Sequence, residues 1–348
     1  MHRMRSPVVW TFGICLLLLT SAALAQNVSV PQASPRATVN QTFGISAITI
    51  DFHRPRVNDR EIWGGLVPWD AVWRAGANDN TTIRFSHPVK IEGKDLAAGT
   101  YGLHMIPGRD RWTVIFSSNS TSWGSFSYDE AEDALRVEVE PRAAEFAEWL
   151  GYGFDDLGAD GATAYLHWEK VKVPFRVEAD TPELVVANAA NELRSRAGFQ
   201  WQGWATAASY ALQNDVHLEK ATEWAAQAVQ RQENGRTLGL QAILLSRQGR
   251  GDEAEAAFAK AMEVGTEAEI NQLGYAVMGT GNTDKAITIF AENLRRNPES
   301  WNCYDSLGEA QAAKGLTKEA IKNYAKAREM APEAQHGRID SVLERLRS

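Results

Sequence analysis

The chain has 348 residues, 44% of them apolar and 23% charged, with a formal net charge of −8. These values suit a globular protein of two domains and exclude a collagen-like or wholly disordered chain. The acidic balance also argues against nucleic acid or an anionic membrane surface as partner, since both recruit basic patches.

In chain order, Arg3 and Arg5 precede an apolar run from Pro7 to Leu19, and Ala23-Leu24-Ala25 completes a signal-peptide pattern. The run falls short of the roughly 20 residues that a membrane-spanning helix needs. Residues 1–25 are therefore expected to be cleaved on export, leaving a periplasmic or secreted protein with no stable membrane insertion. Cleavage removes two basic residues and takes the net charge from −8 to −10. Cys303 is then the one cysteine left, so no intramolecular disulfide is expected, and its apolar helical setting marks it as core. Residues 26–35 are small and polar, a disordered lead-in.

Residues 36–178 read as a β-rich body. Ala47 to His53 alternates, with Ile48, Ile50 and Phe52 on one face and Asp51 and His53 on the other. Further strands are expected at Thr81–Ser86, Val89–Ile91, Thr100–Ile106, Arg111–Ser117 and Ala134–Glu140, with turns at Glu92–Asp95 and Pro107–Asp110. Pro141 to Leu150 favours helix by composition but strand by the even spacing of Phe146, Leu150, Tyr152 and Phe154. Ala162–Lys170 and Val171–Glu178 read as a last pair. Eight or nine short strands without βαβ alternation predict an antiparallel sandwich or barrel. After the first strand, Ile62 to Phe85 holds three tryptophans and three glycines and reads as a loop carrying aromatic anchors that ends by entering the next strand.

Several runs here are long and ordered: Ile62-Trp-Gly-Gly-Leu-Val-Pro68, Val72-Trp-Arg-Ala-Gly-Ala-Asn78, Ala98-Gly-Thr-Tyr-Gly-Leu103 and Trp123-Gly124. Over about residues 35–178 the chain resembles the bacterial family known as domain of unknown function 2911. The resemblance implies an exported β-sandwich, often followed by helical repeats, and no known activity.

The residues themselves offer little catalytic chemistry. No Gly-x-Ser-x-Gly elbow is present. His53, His87, His104 and His167 show no metal-ligand spacing, so no metal and no cofactor are expected. His104 reads as lining a polar sheet face. Asp51 beside His53 is the one pairing suited to general-base hydrolysis, although i and i+2 are neighbours on any strand. His53, Arg54, Arg56, Trp73, Arg74 and Asn78 interleave rings, cations and an amide, which suits a small polar or carbohydrate ligand. The alternative is that the tryptophans anchor the loop and Arg74 pairs with a carboxylate of the body.

At Asp180-Thr181-Pro182-Glu183 the pattern becomes helical, with Thr181 as a cap and Gly198 as a stop; residues 179–198 read as a connecting helix. Beyond it, Leu273-Gly274 and Leu307-Gly308, Ala286 and Ala320, and Phe290 and Tyr324 each recur 34 residues apart. This resembles the tetratricopeptide repeat over residues 199–334, as an α-α solenoid of four helix pairs, closed by a helix at 335–348 with Arg338 outward. The resemblance places a partner groove at Asn271, Tyr275, Asn302, Asp305 and Glu309, neutral or acidic residues that favour a basic or polar protein or peptide. The expectation is an exported scaffold, more readily non-enzymatic than enzymatic.

Overall fold

A computed structural model describes residues 30–348. The expected signal segment, and the lead-in up to residue 29, lie outside the described residues. Ten strands come first: β1 (Arg36–Phe43), β2 (Ser46–His53), β3 (Thr82–Phe85), β4 (Val89–Ile91), β5 (Lys94–Leu96), β6 (Gly99–Ile106), β7 (Trp112–Ser117), β8 (Asp133–Val139), β9 (Arg142–Asp155) and β10 (Gly161–Glu178). They form a six-stranded sheet in the order β1-β2-β3-β6-β7-β8 and a four-stranded sheet in the order β5-β4-β10-β9, with every pairing antiparallel.

The two sheets face each other across one core. Ile48, Ile50, Phe52, Leu103, Met105 and Phe116 come from the first sheet, and Ile91, Leu166, Trp168 and Phe175 from the second. Ring contacts cross the gap at Phe52–Tyr152 (4.8 Å) and Phe116–Phe175 (5.9 Å). This is face-to-face packing driven by alternating apolar positions.

One open alternative closes and two sequence expectations need correcting. The ambiguous stretch after Pro141 is strand, because β9 runs on from it for 14 residues against β10. Residues 162–178 are one 18-residue strand, not a pair; its first part pairs with β9 and its end with β4. Residues Lys94–Leu96, which fell in and after an expected turn, form the short edge strand β5.

The loop between β2 and β3 is bonded throughout. Arg56 bridges Trp149 of β9, Val57 N–H donates to Glu148 O (2.8 Å), and Trp73 exchanges backbone hydrogen bonds with Met105 of β6 (2.8 Å each). Trp63 meets Trp73, Trp112 and Trp168 edge-on at 4.9–5.9 Å, and Trp73 stacks on Trp168 at 6.0 Å. Two of the three loop tryptophans are thus anchors built into the core.

Ten helices follow: α1 (Thr181–Glu192), α2 (Trp201–Gln213), α3 (Leu218–Arg231), α4 (Gly235–Arg247), α5 (Gly251–Val264), α6 (Glu267–Gly279), α7 (Thr283–Arg296), α8 (Trp301–Ala313), α9 (Thr317–Met330) and α10 (Glu333–Arg347). The cap of α1 is Asp180, which accepts from Glu183 N–H (3.2 Å), not Thr181. Thr181 instead donates to Ala159 O (3.2 Å) and ties the helix to the sandwich. The helix ends at Glu192, before the expected stop at Gly198. Helices α2 to α9 pack as four consecutive pairs, and α6 and α7 recur 34 residues later as α8 and α9. Within the third pair a Cβ on Gly274 would lie 2.4 Å from the Phe290 ring, so the missing side chain is what admits that ring. Cys303 is buried, and burial pushes its thiol up to about 11, out of the nucleophilic range.

Candidate functional site

The structure scatters the residues that the sequence grouped as a ligand surface. Asp51 accepts from Arg36 Nε (2.7 Å) and Thr38 Oγ1 (2.8 Å); burial raises its carboxyl, but these two bonds outweigh it and hold the group below its usual value. His53 is buried at the end of β2 and has no hydrogen bond to Asp51. The carboxylate that was to orient the imidazole is therefore already engaged. Arg54 donates to Leu150 O (2.8 Å) and Arg56 pairs with Glu148 (3.0 Å) while lying over Trp149, so both dock the loop onto β9. Asn78 Nδ2 donates to Ser34 O (3.1 Å) and holds the lead-in. Trp73 is in the core stack.

Arg74 behaves differently. It takes part in none of the ion pairs among the described residues, and its Nε is buried without a hydrogen-bond partner. Because Trp73 bridges Met105 with both side chains in the core, strand alternation puts Arg74 and His104 on the opposite, outer face. That face is covered by the loop between β7 and β8. Gly124 (φ +70°) lets the loop backbone approach Arg74, whose guanidinium lies 5.9 Å from the Trp123 ring centroid.

Beneath this loop His104 is 2% exposed, and its Nδ1 lies 3.0 Å from Ser125 Oγ. Asn80, 7% exposed, donates to Asn119 O (3.2 Å), but its Oδ1 has no partner. Both crowd the space where a side chain on Gly102 would sit. Tyr128 packs on His104 with ring centroids 5.3 Å apart and donates to Asp133 Oδ2 (2.6 Å); Arg136 also bonds Asp133, whose Oδ1 has no partner. Of the six buried side-chain polar atoms without partners among the described residues, three belong to this cluster. The sequence reading gave His104 a polar sheet face and Trp123-Gly124 a place in a motif. It missed that one closes over the other, along with Asn80, Ser125, Phe126 and Asp133, because long-range loop closure leaves no periodic signal.

Burial holds His104 at about 4, with Asp133 opposing. The folded value lies below the unfolded 6.5, so the ring must be neutral in the fold and protonation favours unfolding. Stability is then intact above pH 6.5 and is lost as pH falls toward 4, by on the order of 3 kcal/mol. Urea unfolding at pH 7 and pH 4.5 should show a smaller acid loss in His104→Gln than in the wild type. Equal losses would mean that the imidazole is not the group responsible.

On the helical array, α4, α6 and α8 lie side by side as the first helices of their pairs. Tyr275 Oη donates to Glu309 (2.7 Å) and accepts from Ser306 Oγ (3.2 Å), and Asn271 Oδ1 is buried without a partner. Asn302 is half-buried. Asp305 is buried and accepts from Arg338 (2.8 Å); burial raises its carboxyl and Arg338 partly offsets this. Arg338 stays exposed on α10, as expected, but its guanidinium reaches Asp305 and neutralises one of the two acids on this face.

Residues 34–177 match the family model described as "Protein of unknown function (DUF2911)". The helical region is similar to tetratricopeptide-repeat proteins of known structure. A crystal structure of MamA is 19% identical, covers 42% of this chain and 85% of its own, and has a TM-score of 0.29. YrrB, described as a TPR protein with an unusual peptide-binding site, is 18% identical over 44% of this chain and 79% of its own, with a TM-score of 0.28. The Yersinia enterocolitica type III secretion chaperone SycD, in complex with a peptide of the translocator YopD, is 19% identical over 32% of this chain and 89% of its own, with a TM-score of 0.25. No curated protein matches the chain.

Proposed function

We propose that the protein is an exported, non-enzymatic scaffold that recognises an extended peptide segment of a partner protein along the first helices of its repeat array. The observation that carries this is the row formed by α4, α6 and α8, which presents Asn271 Oδ1 as a buried acceptor with no donor beside the Tyr275–Glu309 pair. An amide acceptor takes a backbone N–H from any extended chain, so it suits peptide recognition without strict sequence demand. With Asp305 occupied by Arg338, Glu309 is the remaining acid in the predicted groove, which favours a polar or basic segment over an acidic one. Export rests on the Arg3/Arg5, Pro7–Leu19 and Ala23-Leu24-Ala25 pattern.

A photo-crosslinking side chain placed at Asn302 tests both parts against one at Thr288, an exposed position on α7. Illumination in cells should yield a discrete adduct from position 302 and none from 288. The adduct should disappear when Asn271→Ala and Glu309→Gln are combined, without a change in melting temperature. Equal adducts from both faces, or survival in the double variant, would remove the groove. The protein recovered should begin at Gln26; a chain retaining Met1 in the cytoplasmic fraction would refute export.

A further inference from the structure

We propose that the outer face of the six-stranded sheet, around Arg74, Asn80, His104 and the Trp123–Phe126 ring pair, binds a small carboxylate-bearing ligand with a flat apolar face. The site is separate from the repeat groove, and its test does not depend on that reading.

The cation is the first reason. The other arginines of the same loop are all engaged: Arg54 on Leu150 O, Arg56 on Glu148, and Arg60 on Val57 O (3.1 Å) and Arg56 O (2.5 Å). Arg74, like Arg54, is half-buried with no anion within ion-pair distance among the described residues, but Arg74 alone among the four has a buried Nε without a hydrogen-bond partner. A guanidinium withdrawn from water without a counter-charge is costly, and a carboxylate is the group whose two oxygens match its fork. The neighbouring imidazole, held neutral by burial, does not compete with Arg74 for that anion.

The rings are the second. Trp123 and Phe126 are 61% and 81% exposed, yet they stack in parallel, 5.7 Å apart at 10°. Large apolar rings standing together in water mark a surface meant to be covered. Their orientation offers a platform beside the guanidinium, since Arg74 and Trp123 are already in contact. Gly124 makes this possible: any side chain there would lie 2.9 Å from Arg74 Nη1 and 3.3 Å from the Phe126 ring. A flat ring resting on Trp123 can therefore present a carboxylate to Arg74. That ring is either the C–H face of an acidic sugar or an aromatic acid, chemistries that share the same two contacts. Asn80 Oδ1, an acceptor without a donor at the floor of the cluster, distinguishes them, because a sugar hydroxyl would satisfy it.

The strain in the backbone agrees. Ala75, adjacent to Arg74, is buried with φ +49°, a left-handed conformation that a non-glycine residue rarely adopts. It is held there because its carbonyl accepts from Tyr152 Oη (2.7 Å) and Thr81 Oγ1 (3.3 Å). The scaffold thus fixes the direction in which Arg74 leaves the chain.

Isothermal titration of the mature chain with galacturonate, galactose and phenylacetate tests the assignment. At least one acid should bind, with galactose failing to match galacturonate. Arg74→Gln and Trp123→Ala should each weaken acid binding by roughly tenfold or more. Arg109→Gln, which removes an exposed guanidinium lying 5.4 Å over Trp69, should leave it unchanged. Galacturonate binding more tightly than phenylacetate would identify the ligand as an acidic sugar, and the reverse order as an aromatic acid. Binding by neither acid, equal binding of galactose, or full affinity in Arg74→Gln would overturn the proposal. Melting curves separate a binding cation from a structural one. Arg74→Gln should hold or raise the melting temperature, and a fall of several degrees would assign Arg74 to the scaffold instead.

Discussion

Replacing Trp168 with alanine is expected to cost about 3–5 kcal/mol and to free the Ile62–Ala75 loop from the sandwich. Trp168 is 1% exposed and carries both loop anchors, with Trp73 stacked on it and Trp63 against its edge. Truncation would leave a cavity that two further indoles cannot fill without abandoning their own contacts with Trp112 and Met105. One opposing effect is present: the Trp168 Nε1 is buried without an acceptor, so its removal returns something on the order of 1 kcal/mol. The cavity wins because its cost is several times larger. Urea unfolding should show the loss, near-ultraviolet circular dichroism should lose the coupled indole signal, and trypsin should gain access to Arg60 and Arg74. Trp168→Phe, which keeps a ring and drops the orphaned N–H, should cost far less. Similar stability for the alanine and wild-type chains would mean that the ring stack does not hold the loop.

Gly274→Ala is expected to destabilise the helical array by about 1–3 kcal/mol, although alanine is the better helix former by about 1 kcal/mol. The added Cβ would meet Phe290 at 2.4, 2.6 and 2.8 Å, and that ring is fully buried and wedged edge-on against Tyr275 at 5.0 Å. It has nowhere to retreat, so α6 and α7 must separate. At the equivalent Gly308 the nearest Tyr324 atoms stand at 3.1 and 3.3 Å, a gap that a few tenths of an ångström repair. Gly308→Ala should therefore fall near neutral, with propensity offsetting the squeeze. The order of the two variants in thermal melts is the test. Gly274→Ala matching or exceeding Gly308→Ala would contradict the interdigitation of ring and glycine.

Much of this architecture is written in local pattern. The alternation of Ile48, Ile50 and Phe52 placed the inner face of β2 correctly, because period-two burial is a property of the strand itself. The 34-residue recurrence of Leu-Gly and of Phe290 with Tyr324 exposed the repeat, because each pair solves the same packing problem against its neighbour. The long strand β10 was misread as two, since the bulges around Glu169 (φ +53°) break the alternation without breaking the strand. The pairing of Arg338 was missed because the sequence gives no hint that Asp305, 33 residues earlier, lies at hydrogen-bond distance.

What the amino-acid sequence determined on its own was therefore the order of domains, the sheet faces and the repeat register, all consequences of spacing along one chain. What only the tertiary structure decided was which polar groups found partners. Arg54, Arg56 and Arg74 look alike in sequence, yet β9 gives the first a carbonyl acceptor and the second a carboxylate, while the third is left beside Trp123. A charge is satisfied or stranded by what folding brings to within about 4 Å of it. That distance is set by contacts between segments far apart in the chain, and no local pattern records them.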